Sequence, residues 1–216
     1  MEPASYGETK GRGRPRAFER EVALRRAMDL FWEKGFDMCS MSDLVDAMGV
    51  NSPSIYAAFG NKESLYREAI ELYVRAEGGA ALRNFESRAT LRESLDAMFD
   101  ASIDLFTGGQ RSRGCMIFLG GAGIGAEHAE LRNFLQALRL KVARTVEKRL
   151  KKAVEQGELV PDADAAALAT LCMSVFSGLS VQAADGASKR KLQAGVAQLL
   201  AMIPFRPASH RAKATL

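Results

Sequence analysis

The sequence predicts an all-α protein, with a small N-terminal three-helix module of the helix-turn-helix kind and a larger helical domain behind it. Three observations carry this. Residues 40–59 read as two short helices joined by a tight turn. Apolar residues recur at three- and four-residue spacing through most of the chain. From Ala89 onward only helices are legible, save one strand-like run, Cys115–Leu119, and one strand builds no sheet.

The 216 residues suffice for one large domain or two small ones. Hydrophobic content of 47% and charged content of 26% are those of a soluble globular protein. A net charge of +4 permits a nucleic-acid partner without arguing for one, so any electrostatic footprint is local. Cys39, Cys115 and Cys172 are far apart and odd in number. That argues against a disulfide framework or a zinc site, and suits a reducing cytoplasm. No charged-then-apolar leader opens the chain, so no signal peptide is expected. Ala165–Val181 is apolar but broken by Thr170, Ser174, Ser177, Gly178 and Ser180. It is shorter than the roughly 20 residues of a membrane span, so a helix buried on most sides is expected, and no membrane partner.

In order along the chain, residues 1–16 are rich in Gly, Pro and Arg and are expected to be a disordered basic arm. Arg12, Arg14 and Arg16 suit an arm that follows phosphates or enters the minor groove, with a solvated tail as the alternative. Phe18–Lys34 is an amphipathic helix with Val22, Leu24, Ala27, Met28, Phe31 and Trp32 inward, stopped by Gly35. Ser40 caps the next helix, and Asp43 can answer its amide in a capping box. Met41, Leu44, Val45 and Met48 form its buried stripe, and Gly49 supplies its left-handed end. Asn51 caps the following helix, and Pro53 is tolerated in the first turn, where amides lack partners. Ile55, Tyr56 and Phe59 are its apolar stripe. A helix this short is held by its neighbours, and its polar first turn (Asn51, Ser52, Ser54) can face the major groove. Asn61 caps a further helix expected to run to about Phe85.

Behind this module, helices are expected at Leu91–Phe106, Gly114–Gly123, Arg132–Gln156, Asp162–Ala184 and Ser188–Met202, with a tail at 205–216. The basic face of Arg132–Gln156 (Arg139, Arg144, Lys148, Arg149, Lys151, Lys152) reads as solvated rather than as a second DNA site. Gly121–Ala126 fits the G-x-G-x-x-A of a dinucleotide-binding turn. That fingerprint needs a second strand ending in an acidic residue about 20 positions on, and the chain is still helical there.

Phe31–Phe36 (FWEKGF), Ser40–Val50, Asn51–Phe59 and Asn61–Leu65 together resemble the DNA-binding domain of the TetR family of bacterial transcriptional regulators. The resemblance covers residues 17–66, and residues 67–204 would then be the effector-binding and dimerisation domain. GRGRPR and the Gly114–Phe118 segment resemble the branch that includes copper-responsive repressors. The resemblance implies that Ser40 binds phosphate through its hydroxyl and amide. It places Ser52, Pro53 and Ser54 at base edges, and Tyr56 and Lys62 on the backbone. Ala57 and Ala58 replace larger polar residues, so a methyl contact from Ala57 to thymine substitutes for hydrogen-bonded readout. Glu19 stands where an aspartate often caps the first helix.

The resemblance also implies a homodimer through the last two helices, with Leu168, Val175, Leu179, Leu192, Val196 and Leu199 offering apolar surface. Two-fold symmetry predicts a near-palindromic operator. It implies an effector pocket as well. Candidate walls are Met98, Phe99, Ser102, Phe106, Cys115, Phe118, Leu119, Ala122, Cys172 and Phe176, residues that core packing explains equally. So apolar a set implies a mostly apolar small molecule. Cys115, Cys172 and the methionines also suit a soft metal, or oxidation, although both residue types are ordinary core fillers. No cofactor is expected. Other classes fit less well. An enzyme would have only His128 and His210, with no nucleophile or paired carboxylate at useful spacing. An architectural DNA-binding protein would leave the second domain unexplained.

Overall fold

The computed structural model describes residues 14–108, 113–121 and 124–207. Ten α-helices occur among them: α1 (Arg14–Lys34), α2 (Met41–Met48), α3 (Ser52–Phe59), α4 (Lys62–Tyr73), α5 (Ala80–Glu86), α6 (Leu91–Thr107), α7 (Met116–Leu119), α8 (Ala129–Glu155), α9 (Ala165–Ala184) and α10 (Lys189–Met202). The described residues contain no strand, only the isolated bridge Leu159–Phe205.

Helices α1–α4 form a head around Leu24, Met28, Phe31, Phe36, Leu44, Met48, Ile55, Phe59, Leu65 and Tyr66, all buried. Burial of each such side chain stabilises the head by about 1.5–3 kcal/mol. Helix α1 begins at Arg14, earlier than the expected Phe18, so residues 14–16 of the expected disordered arm are helical. Pro15 falls in its first turn, where a missing amide is harmless. Glu19 therefore lies inside the helix and not at its cap. Val22, expected inward, is exposed. Gly35 ends the helix at φ 77°, donating its amide to the Phe31 carbonyl.

The helix capped by Asn61 was expected to run unbroken to Phe85. It passes instead into a π-helical turn, Val74–Gly78, before α5. A Cβ at Gly78 would collide with the Tyr73 ring, and one at Gly79 with the Val74 carbonyl, so this turn requires both glycines.

Helices α5–α10 form the body. Its core includes Leu91, Leu95, Phe99, Ile103, Leu131, Leu135, Val146 and Leu150. Thr90 and Glu93 close a capping box on α6. Buried Glu158 also serves the start of α6, accepting the Leu91 amide at 2.6 Å and pairing with Arg149 at 2.8 Å. Arg139 donates to the Ile117 carbonyl. Arg139 and Arg149 thus leave the solvated face expected of α8 and hold loops against the body. The segment 205–207 is no free tail at its start: Phe205 bridges Leu159, and the Arg206 amide donates to the Glu158 carbonyl.

Two further expectations change. The helix expected at 114–123 is a single turn, Met116–Leu119, and Ala122 and Gly123 lie outside the described residues. Helix α9 is 20 residues long and apolar enough to cross a membrane by length and composition, so the length argument against a span does not hold. Only 28% of its most apolar stretch is buried in the chain, not most sides of it. Its inner face (Ala169, Cys172, Phe176, Leu179, Ala183) joins the body core, and Asp164 caps its start.

Candidate nucleic-acid interface and the joint behind it

The reading surface is built by local hydrogen bonds. Asn51 Oδ1 accepts the Ser54 amide at 2.9 Å and so starts α3. Only Ile55 and Phe59 of α3 are buried, and they pin it to the head core. Pro53, Ser54, Tyr56, Ala57 and Ala58 are left in solvent on a continuous surface, with Ser52 half-buried at its edge. Tyr56 is 49% exposed. It does not lie in the buried stripe with Ile55 and Phe59, where the sequence placed it, nor is it a core ring packed against Phe36 or Phe59.

Ser40 is placed differently from its expected role. Its amide and hydroxyl both donate to Asp43 Oδ2, at 2.9 and 2.8 Å, while its Oγ accepts the Asp43 amide. The expected capping box is present, but it occupies both donors assigned to phosphate. Lys34 bonds the other Asp43 oxygen at 2.7 Å. The Lys34 and Ser40 hydrogen bonds hold the Asp43 carboxyl well below the usual carboxylate range. The end of α1 is thereby tied to the start of α2. Lys62, also assigned to phosphate, is half-buried with its ammonium 4.4 Å from the Phe36 ring centroid. Arg12 lies outside the described residues, and Arg14 and Arg16 fall in the first turn of α1.

The body residues expected to wall a pocket are mainly core. Met98, Phe99, Ser102, Phe106, Cys115 and Cys172 are buried. The rings of Phe99, Phe106 and Phe118 surround Phe176 at 6.4, 5.6 and 4.9 Å. Ser102 Oγ donates to its own helix at the Met98 carbonyl. Leu119 is half-buried, and Ala122 is outside the described residues. Burial pushes the Cys39 and Cys172 thiols up to about 11 and raises Cys115 as well. All three are thus held as thiols rather than as the thiolates that bind metal or oxidise readily.

The proposed dimer residues divide. Leu179, Leu192, Val196 and Leu199 are buried within this chain and are not available to a second copy. Periodicity identifies an apolar face but not which partner covers it. Leu168 and Val175 are half-buried. The outward apolar surface of α9 is carried by Leu171 and Val181. Gly178 lies beside it, and apart from its own helix backbone nothing among the described residues comes within 4 Å of where its Cβ would stand.

Sequence reasoning missed the joint between head and body. Trp32 Nε1 donates to the Gly114 carbonyl (3.0 Å), and Arg113 pairs with Asp29 (2.8 Å). The Gly125 amide donates to Asp37 (2.8 Å), and His128 Nδ1 meets Glu63 at 2.6 Å. Tyr73 OH donates to Cys115 Sγ at 3.5 Å. All these contacts fall on residues 113–115, 125 and 128, which clasp α1, the turn after it and α4. His128 is therefore part of the clasp; His210 lies outside the described residues.

A capped, two-residue-anchored helix presented by a small bundle, with a helical body behind it, is the architecture of a helix-turn-helix DNA-binding protein. Residues 23–69 match the model of bacterial regulatory proteins of the tetR family, and residues 92–199 match the tetracyclin repressor-like C-terminal domain. The chain is 32% identical to the HTH-type transcriptional repressor ComR of Escherichia coli strain K12, over 85% of this chain and 88% of ComR. It is 31% identical, over 44% of this chain and 45% of the relative, to the activator FasR of Mycolicibacterium smegmatis. A cysteine mutant of the TetR-family regulator CifR, solved with a 26-bp double-strand operator, superposes with a TM-score of 0.82. It is 36% identical and covers 89% of this chain and 100% of its own. The chain belongs to the TetR family and is a DNA-binding transcriptional regulator.

Proposed function

We propose that the protein is a homodimeric, cytoplasmic repressor, not an enzyme, that binds a near-palindromic operator and releases it when a small molecule binds. The observation that carries this is α3: of its eight residues only Ile55 and Phe59 are buried, leaving Pro53, Ser54, Tyr56 and Ala57 free for a groove. With few basic side chains on that surface, specificity rests on short polar and methyl contacts and on DNA shape. The occupied donors of Ser40 move the phosphate contact at α2 to the first-turn amides of Met41 and Ser42, where the helix dipole favours an anion. The outward face of α9, with Leu171, Gly178 and Val181, is covered by the same face of a second copy. Two heads then read two half-sites. Likeness to the repressor ComR supports repression, and likeness to operator-bound CifR supports operator binding.

The test is selection of fragments of the source genome by the purified protein. One enriched near-palindrome supports the reading. No enrichment at moderate salt, before and after unfolding and refolding to strip any bound inducer, refutes it.

A further inference from the structure

We propose that a cavity at the joint between head and body binds a small aromatic carboxylate, and that its occupancy loosens the operator; this rests on the regulator reading above. The cavity holds about 300 Å³, and its walls include Phe31, Trp32, Lys34, Arg113, Met116 and Leu119. Ligand pockets span about 300–1,000 Å³, so this one suits a single-ring molecule.

Its chemistry comes from two groups. Trp32, Met116 and Leu119 offer an apolar wall for a ring. Arg113 offers charge: Nη1 bonds Asp29 Oδ1, and no hydrogen bond from Nη2 or Nε is made among the described residues. A guanidinium edge with donors to spare matches a carboxylate in two-pronged fashion. The guanidinium carbon lies 5.2 Å from the Trp32 ring centroid, so ring and charge are recognised side by side. Lys34 is held by Asp43, and Glu33 also lines the cavity, which favours one carboxylate over two.

The position supplies the coupling. The cavity lies between the last turn of α1 and the α7 segment. That turn carries Lys34, which grips Asp43 at 2.7 Å, and Asp43 closes the cap of α2 with Ser40. A ligand that parts α1 from α7 and draws Arg113 off Asp29 therefore shifts the start of α2. It lowers DNA affinity to the extent that it prefers the shifted arrangement.

Trp32 is the chain's only tryptophan, so its emission reports this cavity directly. The full-length protein is titrated with benzoate and phenylacetate, and with benzamide as the neutral isostere. Operator affinity is followed in parallel by anisotropy. The expected result is a saturable change in Trp32 emission, with the carboxylates bound about tenfold more tightly than benzamide. Arg113→Gln should abolish that preference. Asp29→Asn, which frees Arg113, should tighten benzoate about threefold or more, a gain that misfolding cannot mimic. Equal response to benzamide, no saturable response to either carboxylate, or an Arg113→Gln protein that still prefers carboxylates overturns the site. Benzoate binding that leaves operator affinity unchanged overturns the regulatory half. If the operator binds while Trp32 is silent, the site fails and the regulator stands. If Trp32 titrates but no operator exists, the reverse holds.

Discussion

Replacing Tyr56 with Phe isolates a single hydroxyl on the reading surface. Tyr56 is 49% exposed, and its hydroxyl makes no hydrogen bond among the described residues. Removing it should therefore leave the fold intact, with the melting temperature changed by no more than about 1 °C. If each Tyr56 donates to a backbone phosphate, each subunit loses one hydrogen bond, worth about 1 kcal/mol net at an exposed site. Two subunits lose about 2 kcal/mol, or about 30-fold in Kd. The assay is fluorescence anisotropy with the selected operator, run across a salt series. Because the hydroxyl carries no charge, the slope of log Kd against log salt should not change. An affinity within about threefold of the parent would refute the phosphate contact, since a lost pair of such bonds exceeds that.

Other perturbations probe other parts. Leu171→Glu should give folded monomers by sedimentation, because Leu171 is exposed in the single chain and faces the proposed second copy; dimers that survive would place the interface elsewhere. Val196→Glu should instead unfold the body, since Val196 is buried within its own chain. Asn51→Ala should cost about 1 kcal/mol by loss of the α3 cap, seen as a fall of about 2–4 °C in the melting temperature. Asp43, its pKa lowered by Lys34 and Ser40, contributes its full stability at pH above its unfolded value. That contribution falls away progressively as pH drops from the unfolded value through the depressed folded value. Carboxyl NMR should place its midpoint well below 3.8, and Lys34→Ala should move it back up; an ordinary midpoint in the parent would refute the tie between α1 and α2.

The helices and caps of the head were legible because their signals are local, whereas the early start of α1 and the exposure of Val22 and Tyr56 were not. The caps at Ser40, Asn51 and Asn61 are hydrogen bonds between residues three apart, and all three are present. Gly35 and Gly49 end helices at positive φ, as their positions in the pattern required. Of the body helices, α6, α8, α9 and α10 were legible roughly in extent, because apolar spacing marks a helix wherever one face is dry; α5 was not expected as a separate helix, and α7 is one turn where a ten-residue helix was expected. The π turn at Val74 was not legible, since it follows from the crowding of Tyr73 against Gly78, which spacing does not encode.

What the sequence by itself determined is the all-α class and the helix-turn-helix with its caps. Each rests on interactions within a few positions of chain. What only the tertiary structure decided is which neighbour covers each apolar face and what joins head to body. Leu192, Val196 and Leu199 turn into their own chain while Leu171 turns out, a choice between partners that one helix's periodicity cannot express. The clasp is made by pairs such as Trp32–Gly114 and Asp29–Arg113, 82 and 84 residues apart. Their energies exist only once packing has brought the two segments together, so no local pattern announces them.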